Sequence, residues 1–507
     1  MTVLPPFLDP TDLDGLRTRL APGEGTPPRR PIGLRRIEIG PDALDTLPMA
    51  VAEARGGRGD VVVLTDATAI RRGDEDLKAL AVGLLRARGS AAPHGSAAPH
   101  TARGSDAQDT ARGSVRHVIL GADRPELHAD ARALAEADAA IRGAAVVVSV
   151  GSGTITDIAK DATFRAGLPF VVVQTAVSVN AFSDDMAVLL RNGVKRTVPS
   201  HWPDALIVDL DVIAGAPPIM NRAGFGELMA MFTAPADWYL ATAIGADDSF
   251  DPEVVDLFRA GGDRLLDHAA GVAANRHDAL AELAVQMTMT GIAMGVAGRT
   301  APLSGTEHTI SHLLDMAAER DRRGLAFHGA QVGVAAVVVA LAWRRVLRDL
   351  DPERIAAAAA GGVAASLEDR QLRVAAAFDP LDPSGAATAE CWSDYRRKVQ
   401  RWNGSPERRL ALAEAWDRHR AAIGELVRSP ESIVTGLRAA GAPTRFSELE
   451  PAIPADVARW AVASCHLMRD RFTVADLVDL SGALGRGWDE TFCDDLLAEA
   501  AAMGAGL

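Results

Sequence analysis

Short apolar runs alternate with longer amphipathic stretches through the first 215 residues. Short apolar runs bounded by polar or glycine residues predict buried strands, and the stretches between them predict helices. RRIEIG (35–40) alternates like an edge strand, and the other predicted strands are DVVVLTD (60–66), VRHVILG (115–121), AAVVVSVGSG (144–153), PFVVVQT (169–175) and LIVDLDVI (206–213). The predicted helices between them cover 74–88, 125–143 and 154–167. This alternation predicts a parallel sheet with helices on both faces.

The pattern changes near APPIM (216–220), after which strand patterns give way to alanine- and leucine-rich helical stretches. Examples of these predicted helices are 253–274, 278–297, 330–349 and 352–367. We therefore predict an N-terminal arm (1–34), an α/β domain (35–216) and an all-α domain (217–507).

A low-complexity segment interrupts the α/β pattern at 88–114. It contains the direct repeat GSAAPHGSAAPH and is built from Ala, Ser, Gly, Pro and His. Such a composition offers nothing to bury, so the segment is predicted to be a disordered insert. His94 and His100 lie in it, but a segment without a core cannot fix their geometry for a metal ion.

Composition narrows the functional classes. The 507 residues carry a net charge of -14, which disfavours a long nucleic-acid footprint. The three cysteines are far apart and lack CxxC spacing, which disfavours disulfides and a thiolate zinc site. The N-terminus lacks the pattern of a signal peptide, and no run of 18 apolar residues occurs, so we expect a cytoplasmic protein without a membrane span.

A strand, a glycine turn and a helix follow one another in VVVSVGSGTITDIAK (146–160). Gly151 and Gly153 allow a ligand to approach the backbone, and the helix N-terminus offers free N–H groups to a pyrophosphate. The turn is not the GxGxxG fingerprint, and similar turns often only connect a strand to a helix. On the sequence pattern alone, both interpretations stay open.

Histidines and a carboxylate recur in the helical part. In SGTEHTISHLLDM (304–316), His308 and His312 are four residues apart and share one face of a helix. His328 stands at the entry of an apolar helix, and Glu227 follows what is predicted to be a Gly-Phe-Gly turn. Two imidazoles and a carboxylate with water as the fourth ligand form an open catalytic site for Zn²⁺ or a similar ion. On spacing alone, any one histidine in an apolar helix is more often a satisfied core residue than a ligand.

Together these segments resemble the glycerol-1-phosphate dehydrogenases. These enzymes belong to the superfamily of iron-containing alcohol dehydrogenases, glycerol dehydrogenase and 3-dehydroquinate synthase. The motifs that carry the resemblance are GSGTITDIAK, TAVSVNAFSDDMAVLL, GVKRTVPSHWPDALIVDLD, AGFGELMAMFTAPADW, SGTEHTISHLLDM and FHGAQVGVA. Their order fits from about residue 33 to residue 480 and implies a dehydroquinate synthase-like fold: an α/β nucleotide-binding domain followed by an all-α metal-binding domain.

The resemblance implies a role for particular residues. Those implied to bind NAD or NADP are Asp66, Gly151, Ser152, Gly153, Asp157, Lys160, Thr175 and Ser178. The implied ligands of one divalent metal ion are Glu227, His308 and His328, and the residues implied to act at the substrate are His312 and Asn180. Zinc is the expected ion, with iron or nickel as alternatives.

The chain departs from the family's pattern at several of these positions. Glu227 and Asn180 stand where the dehydrogenases usually have aspartate, and Met231 stands where a lysine is common. Ala330 and Gln331 replace a Glu-Lys pair. Fewer charges around the site leave phosphate recognition, and so the substrate, open.

The implied activity is metal-assisted, NAD(P)-linked reduction of dihydroxyacetone phosphate or a related small keto or polyol phosphate. A lyase or cyclase with catalytic NAD, like dehydroquinate synthase, is one alternative. A catalytically inactive homologue with a regulatory role is the other. The expected partner is a small-molecule substrate, with no nucleic acid, and a homodimer is possible.

Overall fold

A six-stranded parallel sheet forms the centre of the N-terminal half. The computed structural model describes residues 8–23, 26–90, 113–124, 126–191, 194–361 and 366–507. Its strands are β1 (Arg36–Gly40), β2 (Asp60–Thr65), β3 (Arg71–Arg72), β4 (Glu75–Asp76), β5 (Val115–Ile119), β6 (Ala144–Gly151), β7 (Phe170–Gln174), β8 (Met186–Arg191), β9 (Val194–Pro199) and β10 (Ala205–Asp209). The sheet order is β1-β10-β7-β6-β2-β5, and every pair in it is parallel.

The sheet is buried because helices cover both of its faces. All the residues of β7 and β10 are buried, as are all but the first of β6. Continuous apolar runs of this kind are what a parallel sheet requires, since neither face meets water. The helices of this half are α1 (Leu13–Arg19), α2 (Leu47–Ala54), α3 (Leu77–Ser90), α4 (Ala131–Ala140), α5 (Gly153–Ala166) and α6 (Leu210–Gly215).

From residue 210 onward the described elements are helices. They are α7 (Pro218–Leu228), α8 (Ala234–Ala243), α9 (Pro252–Arg259), α10 (Gly261–Asp267), α11 (Ala269–Ala273), α12 (His277–Ala297), α13 (Thr306–Arg320), α14 (His328–Asp349), α15 (Pro352–Gly361), α16 (Leu367–Phe378), α17 (Ala386–Gly404), α18 (Pro406–Glu414), α19 (Trp416–Leu426), α20 (Pro430–Ala439), α21 (Ala455–Ser464), α22 (Val474–Ser481) and α23 (Glu490–Ala502). Short 3-10 helices occur at Ala43–Thr46, Met229–Phe232, Phe446–Glu448 and Cys465–Leu467. The predicted fold class is confirmed.

Helix α14 is the central element of the helical half. It packs against α7, α13, α20 and α23, and nearly all its residues from Gly329 to Trp343 are buried. Helices α12 and α14 are long and apolar enough to span a membrane by length and composition alone. The most apolar windows of the two helices are 89% and 83% buried inside the protein, which is the environment of core helices.

Two sequence-based predictions about helices were wrong. The segment predicted as one helix, 253–274, forms the three helices α9, α10 and α11. Gly261 begins α10 where a Cβ would overlap the side-chain amide of Gln286, so the chain breaks at a point of close packing. The Gly-Phe-Gly segment before Glu227 is not a turn but lies inside α7, because its glycines allow close contact with other backbone segments.

The pattern analysis missed the antiparallel pair β8 and β9. The sequence MAVLLRNGVKRTVP carries the signal, since two strand-like runs flank an Asn-Gly pair. The strand predicted at 206–213 ends at Asp209, whose side chain caps α6 by accepting hydrogen bonds from the backbone of Asp211 and Val212.

Three further predictions, on the insert, on the helix at 352–367 and on the N-terminal arm, can be compared with the structure. Most of the predicted insert, 91–112, lies outside the described residues, together with His94 and His100, and α3 continues to Ser90. The helix predicted at 352–367 is described to Gly361. In the N-terminal arm, the structure places α1 and a buried ion pair of 2.6 Å between Arg29 and Asp251, so the arm packs on the helical half.

Candidate metal centre and nucleotide cleft

Three side chains from separate helices converge in the helical half. Glu227 lies near the end of α7, His308 in the first turn of α13 and His328 at the first residue of α14. One ligand-type atom of each lies within 4.8 Å of the others. Nε2 of His308 is 3.3 Å from Oε1 of Glu227, and Nε2 of His328 is 3.8 Å from Oε2. The structure thus has the convergence that a metal centre with these ligands requires.

Glycines in α7 and α14 allow this convergence. A Cβ on Gly224 would overlap the carbonyl oxygen of Val177, so α7 lies directly on the loop that follows β7. On its other side, a Cβ on Gly226 would overlap the carbonyl oxygen of Gly329 in α14. Helix α7 therefore touches both the sheet half and the helix that carries His328, and Glu227 is held beside that histidine.

Charges in this cluster depend on one another. The carboxylate of Glu227 is buried, and its Oε2 accepts no hydrogen bond from the described residues. Burial opposes charge on His308, but attraction and hydrogen bonding from Glu227 and Glu307 outweigh it and raise the His308 pKa to about 9. Burial raises the pKa of Glu227, yet the charges of His328 and His308 lower it overall.

The donor set fits a divalent metal ion. A buried carboxylate oxygen without a hydrogen bond is costly unless a cation or a proton satisfies it. Two imidazoles and a carboxylate are ligands that Zn²⁺ and related ions accept, and three protein ligands leave a position open for substrate. Glu227, His308 and His328 would hold such an ion.

A second carboxylate supports His308. Nδ1 of His308 is 2.9 Å from Oε1 of Glu307, a carboxylate that can only accept the hydrogen bond. Glu307 is itself held by the hydroxyl of Thr233 at 2.9 Å and the backbone N–H of Gly305 at 2.6 Å. Because Nδ1 donates its proton to Glu307, Nε2, which faces Glu227, is the ring nitrogen of His308 that would bind a metal ion after losing its own proton.

A third buried carboxylate, Asp237 of α8, anchors the start of α13. Its Oδ2 accepts hydrogen bonds from the backbone N–H and hydroxyl of Thr306, and its Oδ1 accepts from the backbone N–H of Val474. Burial, together with the nearby charge of Glu307, raises the Asp237 pKa to about 7. Asp237 therefore links α22 to the helix turn that carries His308.

Polar groups of α13 and α14 surround His328. Oγ of Ser311 lies 2.8 Å from Nδ1 of His328, and His312 stacks on the His328 ring with centroids 5.5 Å apart. Ligand-type atoms of His312, Asp315 and His328 lie within 4.8 Å of one another. His312 therefore lies beside the candidate centre.

The glycine turn lies at the carboxyl edge of the sheet. Gly151 ends β6, Ser152 follows it, and Gly153 begins α5. No side chain of the described residues caps the N-terminus of α5, so its first N–H groups are available to an anion. A Cβ on Gly153 would lie 2.9 Å from Cγ2 of Val179, which shows how closely the next loop approaches.

Other predicted nucleotide residues share this edge. Asp66 follows β2 and Thr175 follows β7, and these two strands flank β6 in the sheet. The backbone N–H of Thr175 donates to the carbonyl of Gly151 at 3.3 Å. Ligands of open parallel sheets bind at this edge. Asp66 also pairs with Lys78 at 3.3 Å.

The remaining predicted site residues stand behind the cleft or on its loop. Asp157 and Lys160 are buried on α5. The ammonium group of Lys160 donates to the carboxylate of Asp184 at 2.6 Å and to the backbone of that loop, so Lys160 holds the segment after β7 in place. Ser178 is buried in the same segment, and half-buried Asn180 packs against Gly291 of α12.

Sequence reasoning missed the residues that support the triad. Glu307 could have been found, because a carboxylate directly before a candidate histidine ligand is a visible signal. Asp237, Ser311 and Gln331 carry no such signal, since their roles arise from contacts between helices.

Comparisons with known proteins agree with this fold. The family model described as "Iron-containing alcohol dehydrogenase" matches residues 95–217. Glycerol-1-phosphate dehydrogenase (NAD(P)+) of Bacillus licheniformis is 28% identical over 348 residues, covering 68% of this chain and 71% of that enzyme. The enzymes of the same name from Bacillus subtilis and Pyrococcus furiosus are 33% and 30% identical, but each alignment covers only 40% of this chain and 52% and 58% of those enzymes.

Solved structures support the fold. A probable glycerol dehydrogenase from Sinorhizobium meliloti matches with a TM-score of 0.54 at 15% identity, covering 92% of this chain and 98% of that one. Glycerol dehydrogenase from Schizosaccharomyces pombe matches with a TM-score of 0.53 at 13% identity, covering 94% and 90%. Over part of its length the chain is a homologue of the glycerol-1-phosphate dehydrogenases, and its residues 95–217 match the iron-containing alcohol dehydrogenase family.

Proposed function

We propose that this chain is a metal-dependent, NAD(P)-linked oxidoreductase acting on a CH–OH group. The observation that carries the proposal is the convergence of Glu227, His308 and His328 on one point. Helix α7, which carries Glu227, also lies against the loop beside the glycine turn. A metal ion and a nicotinamide bound at these two places would face one cleft, as hydride transfer requires.

Different residues of the chain would bind the nucleotide and transfer the proton. When bound, the metal supplies Lewis-acid polarisation of a carbonyl oxygen, and the reduced nicotinamide supplies hydride. The backbone from Gly151 to Gly153 would bind the pyrophosphate, and Asp66 would lie near the adenosine ribose. His312 would give a proton to the developing alkoxide or take it back, because an imidazole can carry a proton near neutral pH.

Zinc is the ion that we propose, with iron or nickel as alternatives, because nitrogen ligands suit all three. The proposed cofactor is NAD or NADP. We further propose a small-molecule substrate, a cytoplasmic location and a possible homodimer.

The proposed reaction is the reduction of dihydroxyacetone phosphate to glycerol 1-phosphate, or of a related small keto phosphate. The named activity of the relatives supports it. Two positions at which the chain departs from the family's pattern offer no positive charge to a phosphate. Met231 is buried against Phe232 and Gly262, and Gln331 is buried among polar groups of α13, so neither position offers a cation. The substrate test must therefore separate phosphorylated from unphosphorylated ketones.

One experiment tests the proposal. The purified protein is analysed for bound metal, loaded with Zn²⁺, and supplied with NADH or NADPH and either dihydroxyacetone phosphate or dihydroxyacetone. We expect metal-dependent loss of reduced nicotinamide, faster with the phosphate. A preference for dihydroxyacetone would support the proposed oxidoreductase activity but would reject a phosphorylated substrate.

Two other outcomes would reject the oxidoreductase. Turnover of a substrate that needs bound NAD but causes no net change in reduced cofactor would favour the lyase or cyclase alternative. Binding of metal and nucleotide without turnover of any ketone would favour the inactive homologue.

A further inference from the structure

A buried glutamine connects the two helices that carry the histidines. Gln331, in the first turn of α14, is almost completely buried. Its Oε1 is 2.6 Å from the hydroxyl of Ser311 in α13. Its Nε2 is 3.0 Å from Oδ1 of Asp315 and 3.3 Å from the carbonyl oxygen of Ala326. Each end of the amide therefore has its own set of partners.

These partners determine which end of the amide is nitrogen. The carboxylate of Asp315 and the carbonyl of Ala326 are acceptors, so the group that faces them must donate. The amide nitrogen of Gln331 can donate twice, whereas its oxygen cannot donate at all. Turning the amide over would bring acceptor against acceptor in a buried place and leave these groups without hydrogen bonds, which is unfavourable.

The amide in turn determines the direction of the Ser311 hydroxyl. Ser311 has one proton to donate, and the acceptor at 2.6 Å is Oε1 of Gln331. Only lone pairs of the hydroxyl oxygen then remain for Nδ1 of His328, 2.8 Å away. Nδ1 of His328 must therefore carry a proton, and in the neutral ring Nε2 keeps its lone pair on the side of Glu227.

We propose that Asp315, Gln331 and Ser311 form a relay of hydrogen bonds that positions His328 as a metal ligand. The relay selects the tautomer with the proton on Nδ1 and limits rotation of the ring. The three are positioning residues, because they act through His328. This proposal rests on the proposed metal centre, and it adds a second support to the one that Glu307 gives His308.

Without the relay, His328 would have a choice of tautomers. If Gln331 could not accept a hydrogen bond, the Ser311 hydroxyl could rotate and donate to Nδ1 of His328. The ring proton would then move to Nε2, where it would block the bond to the metal. Removing the Ser311 hydroxyl would remove the hydrogen bond that favours the proton on Nδ1.

The test measures metal binding rather than activity. The variants are Ser311→Ala, Gln331→Met and the double variant. Thr309→Val is the matched control, because Thr309 is also buried in α13 but donates only to the carbonyl of Thr306. Each metal-free protein is titrated with Co²⁺, and its dissociation constant for Zn²⁺ is measured by competition with a chelator. Thermal unfolding of the metal-free proteins shows whether each variant folds.

We expect the dissociation constant for Zn²⁺ to rise about 10- to 100-fold in each single variant. The visible Co²⁺ spectrum should change, since it reports the geometry of the ligands. In the double variant the constant should be no higher than in Ser311→Ala, because Gln331 acts through Ser311. The Thr309→Val control should bind both ions as the unchanged protein does.

Two results would overturn the relay while leaving the metal centre intact. One is Zn²⁺ affinity and a Co²⁺ spectrum unchanged in Ser311→Ala. The other is a double variant whose losses add, which would mean that Gln331 acts only on packing. If the double variant does not fold, the single variants decide, because an unchanged Zn²⁺ affinity and Co²⁺ spectrum in Gln331→Met would also reject the relay. Failure of the unchanged protein to bind Zn²⁺ or Co²⁺ would instead reject the proposed function.

Discussion

The two parts of the candidate site are built in different ways. The glycine turn of the sheet half, Gly151 to Gly153, is one local segment and offers backbone N–H groups. The centre in the helical half consists of three side chains, from residues 227, 308 and 328, and further buried carboxylates support it. The glycine turn depends on the space that glycines leave because they have no side chain. The centre in the helical half depends on paired charges. Substitutions should therefore affect them separately.

The largest expected effect is the loss of a metal ligand. His328→Ala should lower the rate of ketone reduction about a thousand-fold or more, because Lewis-acid stabilisation of several kcal/mol is lost. Nucleotide affinity, measured by quenching or calorimetry, should stay within a few-fold of normal. Full oxidoreductase activity in this variant would show that the triad is structural. A loss of nucleotide binding as well would indicate unfolding, which thermal denaturation detects.

The opposite result, loss of nucleotide binding without loss of metal, is expected at the glycine turn. Gly153→Val should weaken nucleotide binding by about 100-fold, because the added carbons would meet Val179 and occupy the anion position at the N-terminus of α5. Bound metal, measured by elemental analysis, should be unchanged. Gly83→Val is the matched control, since Gly83 lies in α3 with open space around it. Equal losses in both variants would refute a specific nucleotide site at the turn.

A buried carboxyl group of the helical half, Asp237, should make the stability of the protein depend on pH. Burial and Glu307 raise the Asp237 pKa to about 7, above its ordinary value of 3.8, so the folded protein holds a proton that the unfolded chain releases. The contribution of Asp237 to the free energy of unfolding of the metal-free protein should therefore fall as pH rises from about 4 to 7, by a few kcal/mol at most.

Asp237→Asn tests this assignment. The variant loses one acceptor at every pH, so its overall stability is lower, but its free energy of unfolding should depend less on pH in that window. Denaturant titrations at several pH values measure both proteins. Identical pH slopes would mean that Asp237 is not the titrating group.

The smallest effect is expected at the far end of the nucleotide cleft. Asp66→Asn removes a negative charge that would accept a hydrogen bond from the ribose of NAD and repel the 2′-phosphate of NADP. We expect the ratio of kcat/KM for NADH over NADPH to fall about tenfold. Turnover with saturating NADH should change little. An unchanged ratio would place the adenosine ribose elsewhere.

Local patterns in the sequence were sufficient for much of the fold. The continuous apolar runs of β6 and β7 predict a buried parallel sheet because only a strand covered on both faces can be apolar at every position. The glycine turn and the first-turn position of His328 were equally visible, since both depend on neighbouring residues. The prediction failed at Gly224 and Gly226, because glycine occurs both in turns and at close helix contacts. These two glycines suggested a turn, but they allow close packing of a helix.

Only the tertiary structure decided how the site is assembled. Glu227 is 81 residues from His308, and periodicity reports which face of an element is buried, not which element covers it. The contacts of α7 with Val177 and Gly329 bring that carboxylate to the histidines. The direction of the Gln331 amide likewise follows from acceptors on other segments, because a hydrogen bond needs a partner at about 3 Å wherever that partner lies in the chain.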